Sequence, residues 1–190
     1  MTVGSTDRIP GRAECEELMA RYSMLPHIVE HSRQVMRVAL AVTDHLKPGV
    51  SVNRDLVMAA ALLHDITKTR SLKTREKHAA SGGALLRELG FLSVADIVEQ
   101  HVIIRGLNPG GGIEEKEIVY YADKRVMHDT IVSIEERVRD LVRRYGTTEE
   151  IREQIFRNQK QMLVVEQKIA AFMQTTMHDA LQTIIEYSSC

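Results

Sequence analysis

The chain has no tryptophan, and aromatic side chains make up only 4% of its 190 residues. That scarcity argues against the stacked aromatic platforms that hold single-stranded nucleic acid. Its two cysteines, Cys15 and Cys190, lie near opposite ends, so they read as free thiols of a reducing compartment rather than as a disulfide framework. Neither sign of charge prevails: 25 Lys and Arg against 26 Asp and Glu leave a net charge of −1. No global basic field therefore points to a nucleic-acid polymer or an anionic membrane. No apolar run approaches the roughly 20 residues of a membrane span, and Met1-Thr2-Val3-Gly4-Ser5 carries no apolar core of an export signal. These absences set the expectation of a cytoplasmic protein with a small-molecule partner.

What is present is helical. Apolar residues at 44% and charged residues at 27% describe an ordinary globular chain, long enough for one domain with a real core. No segment shows strand alternation and there is no repeat, so the fold class is all-α. Residues 1–12 read as a mobile tail, 13–146 as the main domain, and 147–190 as a helical extension. The first helix runs from Arg12 to about Tyr22. Pro26 suits the first turn of the second, where His31, Val35, Val38, Val42 and Leu46 form one apolar stripe ended by Lys47-Pro48-Gly49. Asn53 or Ser51 caps a third helix from Arg54 to His64. The polar stretch from Thr67 to Lys77 reads as a loop or frayed turn. A helix then starts at His78, with small residues for close packing, and stops at Gly90. Ser93 is read as the cap of Val94–His101. After the breaker cluster Arg105–Gly112 come helices over Glu114–Met127 and Thr130–Arg144. Thr147 with Glu150 has capping-box spacing for a last helix reaching about Glu186. Its Ile155, Met162 and Ile169 recur every seven residues, a seam that suits either packing on its own domain or a homodimer.

The organising stretch is Ala59-Ala60-Ala61-Leu62-Leu63-His64-Asp65-Ile66-Thr67-Lys68, an apolar run that ends in an imidazole and a carboxylate. Further histidines and acids sit on predicted inward faces or helix ends: His31, His78, His101 and Asp123. Any one inward histidine is more often a hydrogen-bonded core residue than a ligand. Four histidines and two carboxylates together, from a chain with only 8 histidines, favour a centre for first-row divalent metals. His27, His45, His128 and His178 read as surface or structural.

In this order, His31, His64-Asp65, His78, His101 and Asp123 resemble the ligand series of the HD-domain superfamily of metal-dependent phosphohydrolases. Leu62-Leu63-His64-Asp65 looks like its signature, and Ile118-Val119-Tyr120-Tyr121-Ala122-Asp123 adds to the match, over roughly Pro26 to Asp129. The likeness is greatest to small bacterial enzymes that split diadenosine tetraphosphate. Two departures stand out: Thr67 replaces a common glycine, and Lys124-Arg125-Val126-Met127-His128 replaces an acidic-proline-arginine run. The resemblance implies a helical bundle in which His31, His64, Asp65 and Asp123 hold one metal, and Asp65 bridges to a second held by His78 and His101. Two cations about 3.5–4 Å apart can acidify a shared water and neutralise phosphoryl charge. Iron or manganese is preferred; the ligand types leave zinc, nickel and cobalt open. Lys68 is either a contact to a phosphate oxygen or a solvated lysine. Thr69–Arg75 could form a basic rim, the loop after Arg105 could close over the site, and Lys124 and Arg125 could bind phosphate or pair with acids. The expected activity is hydrolysis of a phosphate ester or anhydride of a nucleotide or small metabolite. A di-iron oxygenase on the same scaffold and a non-catalytic metal-binding interaction module are the alternatives.

Overall fold

An uninterrupted run of small and aliphatic side chains must be covered on every side, and this places the third helix at the centre of the molecule. In the computed structural model, which describes residues 7–187 with side chains through residue 184, α3 (Arg54–Leu63) buries Val57 to Leu63 completely or nearly so. The Asn53 side chain accepts from the Leu56 N–H and fixes its start. Around it pack α1 (Arg12–Arg21), α2 (Pro26–Asp44), α6 (Leu92–Val98) and α7 (Glu115–Lys124). On α2, Val35, Val38 and Val42 are fully buried, as the stripe predicts. Gly90, at φ +85°, follows α5 (His78–Glu88) in the left-handed conformation that glycine adopts without cost. The close approach of α5 to α6 is real: a Cβ on Gly83 would lie 2.2 Å from Glu99 Cγ.

Among the described residues, the regular secondary structure is helical apart from one short hairpin. Several local expectations are corrected. Thr67–Lys77 is not a loop: Lys68–Thr74 forms α4, ended by Arg75 in the left-handed region at φ +61°. Ser93 lies inside α6 and caps nothing; its backbone N–H donates to Asp7. The helix expected to Met127 stops at Lys124, and Val126–Met127 (β1) pairs antiparallel with Thr130–Ile131 (β2) across a turn in which His128 has φ +59°. Ser133, with Glu136, makes the capping box that opens α8 (Ile134–Tyr145), three residues beyond Thr130. Thr148, not Thr147, caps α9 (Glu149–Phe172). The last helix is not continuous to Glu186: it breaks after Phe172 and restarts as α10 (Met177–Tyr187). At the break the chain is taken up by Leu46, which bridges Met173, while Gln174 N–H donates to the His45 carbonyl.

The seam of α9 is filled from within the chain. Ile155, Met162, Val165 and Ile169 are buried, with α9 against α7 and α8 and α10 against α2. Cys15 is a free, buried thiol; Cys190 lies outside the described residues, as do the first six of the expected N-terminal tail.

Candidate metal centre

Helix ends bring the six predicted side chains together. His31 comes from the second turn of α2, His64 and Asp65 from the end of α3, and His78 from the start of α5. His101 comes from the turn after α6, and Asp123 from the last turn of α7. Two groups of ligand atoms converge, His31 with His64 and Asp65, and Asp65 with His78 and His101. Asp65 belongs to both. Asp123 Oδ1 lies 3.1 Å from His31 Nε2 and 3.7 Å from His64 Nε2, so it faces the first group.

The imidazoles are oriented by groups that only accept. His31 Nδ1 is 2.8 Å from the His128 carbonyl, His64 Nδ1 is 2.8 Å from that of Ala61, and His101 Nδ1 is 2.7 Å from that of Val98. A carbonyl cannot donate, so in each ring Nδ1 carries the proton; His64 Nε2 then presents its lone pair inward, whereas His31 Nε2 faces the acceptor Asp123 Oδ1. His78 Nε2 takes the Lys68 ammonium at 3.3 Å and lies 3.1 Å from His101 Nε2. It is also 3.2 Å from Asp65 Oδ1.

Two of the inward atoms, His64 Nε2 and Asp65 Oδ1, are buried and make no hydrogen bond. A buried lone pair left without a donor costs about 1–3 kcal/mol, and two such atoms in one centre are what a cation would satisfy. The charge states of His64 and of both carboxylates fit the same ligand, while His31 is raised, against burial, by Asp123 and Asp65. Burial pushes His64 down to about 4, which keeps it neutral at pH 7. Burial alone would raise Asp65, but His64, His101, His78 and Lys68 outweigh it and hold the carboxyl well below the usual range. Asp123 is held down in the same way, against burial, by Lys124, His31 and His64. Neutral imidazoles and ionised carboxylates are the forms that ligate. The donor set of nitrogen and oxygen suits iron, manganese, zinc, nickel or cobalt.

Other residues fall differently. Lys124 does not reach outward for phosphate: its buried ammonium donates to Asp123 Oδ2 at 2.6 Å and to the His101 carbonyl at 2.8 Å, tying both halves of the centre together. Arg125 donates to the Val132 carbonyl, to Tyr121 and to Glu166. The loop after Arg105 lines no part of the cavity, and Arg105 pairs with Glu99. Of the basic stretch, Lys68 and Leu72 line the cavity, whereas Arg70 is held by Glu76.

Above the centre opens a cavity of about 620 Å³. Its walls include residues the sequence reading missed. His128 supplies the carbonyl that orients His31, and its ring also lines the cavity. Arg137 and Arg144 come from α8 and Asn158 from α9. The charged pattern Glu135-Glu136-Arg137 to Arg143-Arg144 reads as a solvated helix, and only the packing of α8 shows which of its faces turns inward.

Comparison with known proteins gives partial relatives. A tRNA (cytidine(56)-2′-O)-methyltransferase of Thermoplasma volcanium is 33% identical over 112 residues, 58% of this chain and 29% of that protein. An uncharacterized protein of Methanocaldococcus jannaschii is 31% identical over 134 residues, 63% of this chain and 78% of that one. A dihydroneopterin 2′,3′-cyclic phosphate phosphodiesterase of the same organism is 49% identical over 43 residues, 22% of this chain and 17% of the enzyme. The chain thus spans about three tenths of the methyltransferase it matches. No solved structure matches. The HD-domain family matches residues 28–128, a stretch that contains all six converging side chains, and the chain belongs to that family.

Proposed function

We propose that the protein is a metal-dependent phosphohydrolase that cleaves a phosphate ester or anhydride of a small molecule. The observation that carries this reading is Asp65, a buried carboxylate shared by two ligand groups, with one oxygen lacking any hydrogen bond. His31, His64, Asp65 and Asp123 would hold one divalent cation, and Asp65, His78 and His101 a second; iron or manganese is preferred. Such cations, when bound, supply Lewis acidity toward a phosphoryl oxygen and lower the pKa of a coordinated water. Lys68, partly exposed at the cavity wall and 3.6 Å from Asp65 Oδ1, would meet a phosphate oxygen as a point charge. Lys124 keeps Asp123 ionised and oriented. The phosphodiesterase relative supports phosphate chemistry, and its name draws cyclic phosphodiesters into the set to be tried.

The test is hydrolysis of a panel of nucleotides, cyclic phosphates and sugar phosphates, followed by chromatography of the products, with manganese, iron or nickel added to metal-free protein. Turnover of at least one class is expected, and Asp65→Ala should lose bound metal and activity together. Oxygen uptake by an iron-loaded protein that hydrolyses no panel member would replace this reading with an oxygenase. Full activity in Asp65→Ala would remove the shared-ligand role.

A further inference from the structure

Helix α8 follows the family-matched segment, yet one of its faces belongs to the cavity. Arg137, Leu141 and Arg144, at positions i, i+4 and i+7, all line it. Behind them Asp140, almost wholly buried, faces three guanidiniums: Arg144 at 2.5 Å, Arg143 at 2.8 Å and Arg137 at 3.6 Å. One carboxylate cannot neutralise three guanidiniums, which stay charged at any ordinary pH. Arg143 points to solvent with 78% of its side chain exposed and does not line the cavity. The surplus inside therefore rests on Arg137 and Arg144. Arg137 Nε is buried and donates to nothing. Arg144 also reaches His128 Nε2 at 3.2 Å, and the His128 carbonyl holds His31, so this cationic wall borders the metal centre. Ile28, Ile155 and Met162 give the cavity apolar surface as well.

We propose that Arg137 and Arg144 form a second anion site, which receives a phosphate group of the substrate other than the one held at the metal centre. The ligand class is a small molecule carrying two phosphate groups on a body with an apolar face. The unused donors of two forked guanidiniums match the several oxygens of a phosphate better than the two of a carboxylate. This inference rests on the phosphohydrolase reading for the role of the first phosphate, but the second site exists in the protein alone and can be read without metal.

The probes are adenosine 5′-monophosphate and adenosine 3′,5′-bisphosphate, titrated calorimetrically into the full chain kept metal-free with chelator. Wild type should bind the bisphosphate more tightly than the monophosphate. Arg137→Gln and Arg144→Gln should each weaken the bisphosphate by about tenfold or more, the scale of a lost charge-assisted contact. Arg143→Gln on the same helix should leave it unchanged. Either lining variant suffices if the other fails to fold, as judged by circular dichroism. Equal binding of the two probes by wild type, or a folded lining variant that binds the bisphosphate as wild type does, would overturn the proposal. Retained arginine-dependent binding in a manganese-loaded protein that hydrolyses nothing would sink the hydrolase reading and leave this site standing.

Discussion

Lys124 illustrates how much one buried side chain can carry. Its ammonium is nearly inaccessible, pushed down by burial, and it spends its donors on Asp123 and on the His101 carbonyl. On the proposed reading Asp123 is a metal ligand, and a partner that orients a ligand is typically worth about 10–100-fold in metal affinity. Lys124→Met keeps the bulk and removes the charge. We expect manganese affinity to fall on that scale while the helical circular dichroism is retained; an unchanged titration would make Lys124 a packing residue. Cys15 gives a second prediction. Burial raises its thiol from the ordinary 9 to about 12, so the folded state disfavours the thiolate. The folded pKa lies above the unfolded one, and the stability this contributes is present below pH 9 and is lost as pH rises from 9 toward 12. At pH 9, alkylation mapped by mass spectrometry should leave Cys15 of the native protein almost unmodified and label it readily in urea. Rapid native labelling would contradict its burial. The six converging side chains were legible because a histidine or acid on an inward stripe is conspicuous. The carbonyls that fix the rings, and the turn of Lys124 toward Asp123, were not, because they depend on where helix ends meet in space.

Among the elements, α7 and α9 are joined by a pair that sequence alone does not reveal. Lys168 donates to Glu117 at 2.7 Å, with side chains 2% and 0% exposed, although the two are 51 residues apart. Glu117 spends its other oxygen on the Glu114 N–H in the capping box of α7. Removing one partner of a buried pair leaves an uncompensated charge and costs about 3–5 kcal/mol, whereas an apolar replacement of both is often neutral. Lys168→Ala should therefore lower the denaturation midpoint sharply, and Glu117→Leu with Lys168→Met should recover much of the loss. If both variants fall equally, the capping role of Glu117 outweighs the ion pair. Helix starts with strong local signals, Pro26, Asn53 and His78, were read where they occur. The break between α9 and α10 was not, because Met173-Gln174-Thr175-Thr176 contains no proline or glycine. It is imposed by Leu46 and His45 of a distant turn. The hairpin at Val126 was invisible for another reason: two-residue strands leave no alternation to detect.

For the molecule as a whole, the family-matched segment ends at residue 128, but the cavity and the core do not. Ile155 and Met162 of α9 line the cavity, and with Val165 and Ile169 they are buried against the preceding helices. Each such side chain contributes about 1.5–3 kcal/mol by burial, so four of them approach the entire stability of a typical domain, about 5–15 kcal/mol. Loss of Lys168 would add an unpaired Glu117 to that deficit. Deletion of residues 147–190 should consequently abolish the cooperative calorimetric transition and, with it, high-affinity manganese binding, because α7 then loses the cover that holds Asp123 in place. A deletion variant with a sharp transition and intact metal binding, but a changed sedimentation coefficient, would mean instead that the seam of α9 serves a second copy of the chain. The burial of that seam within one chain favours the first outcome, since side chains already buried to 8% exposure or less have little surface left to offer a partner.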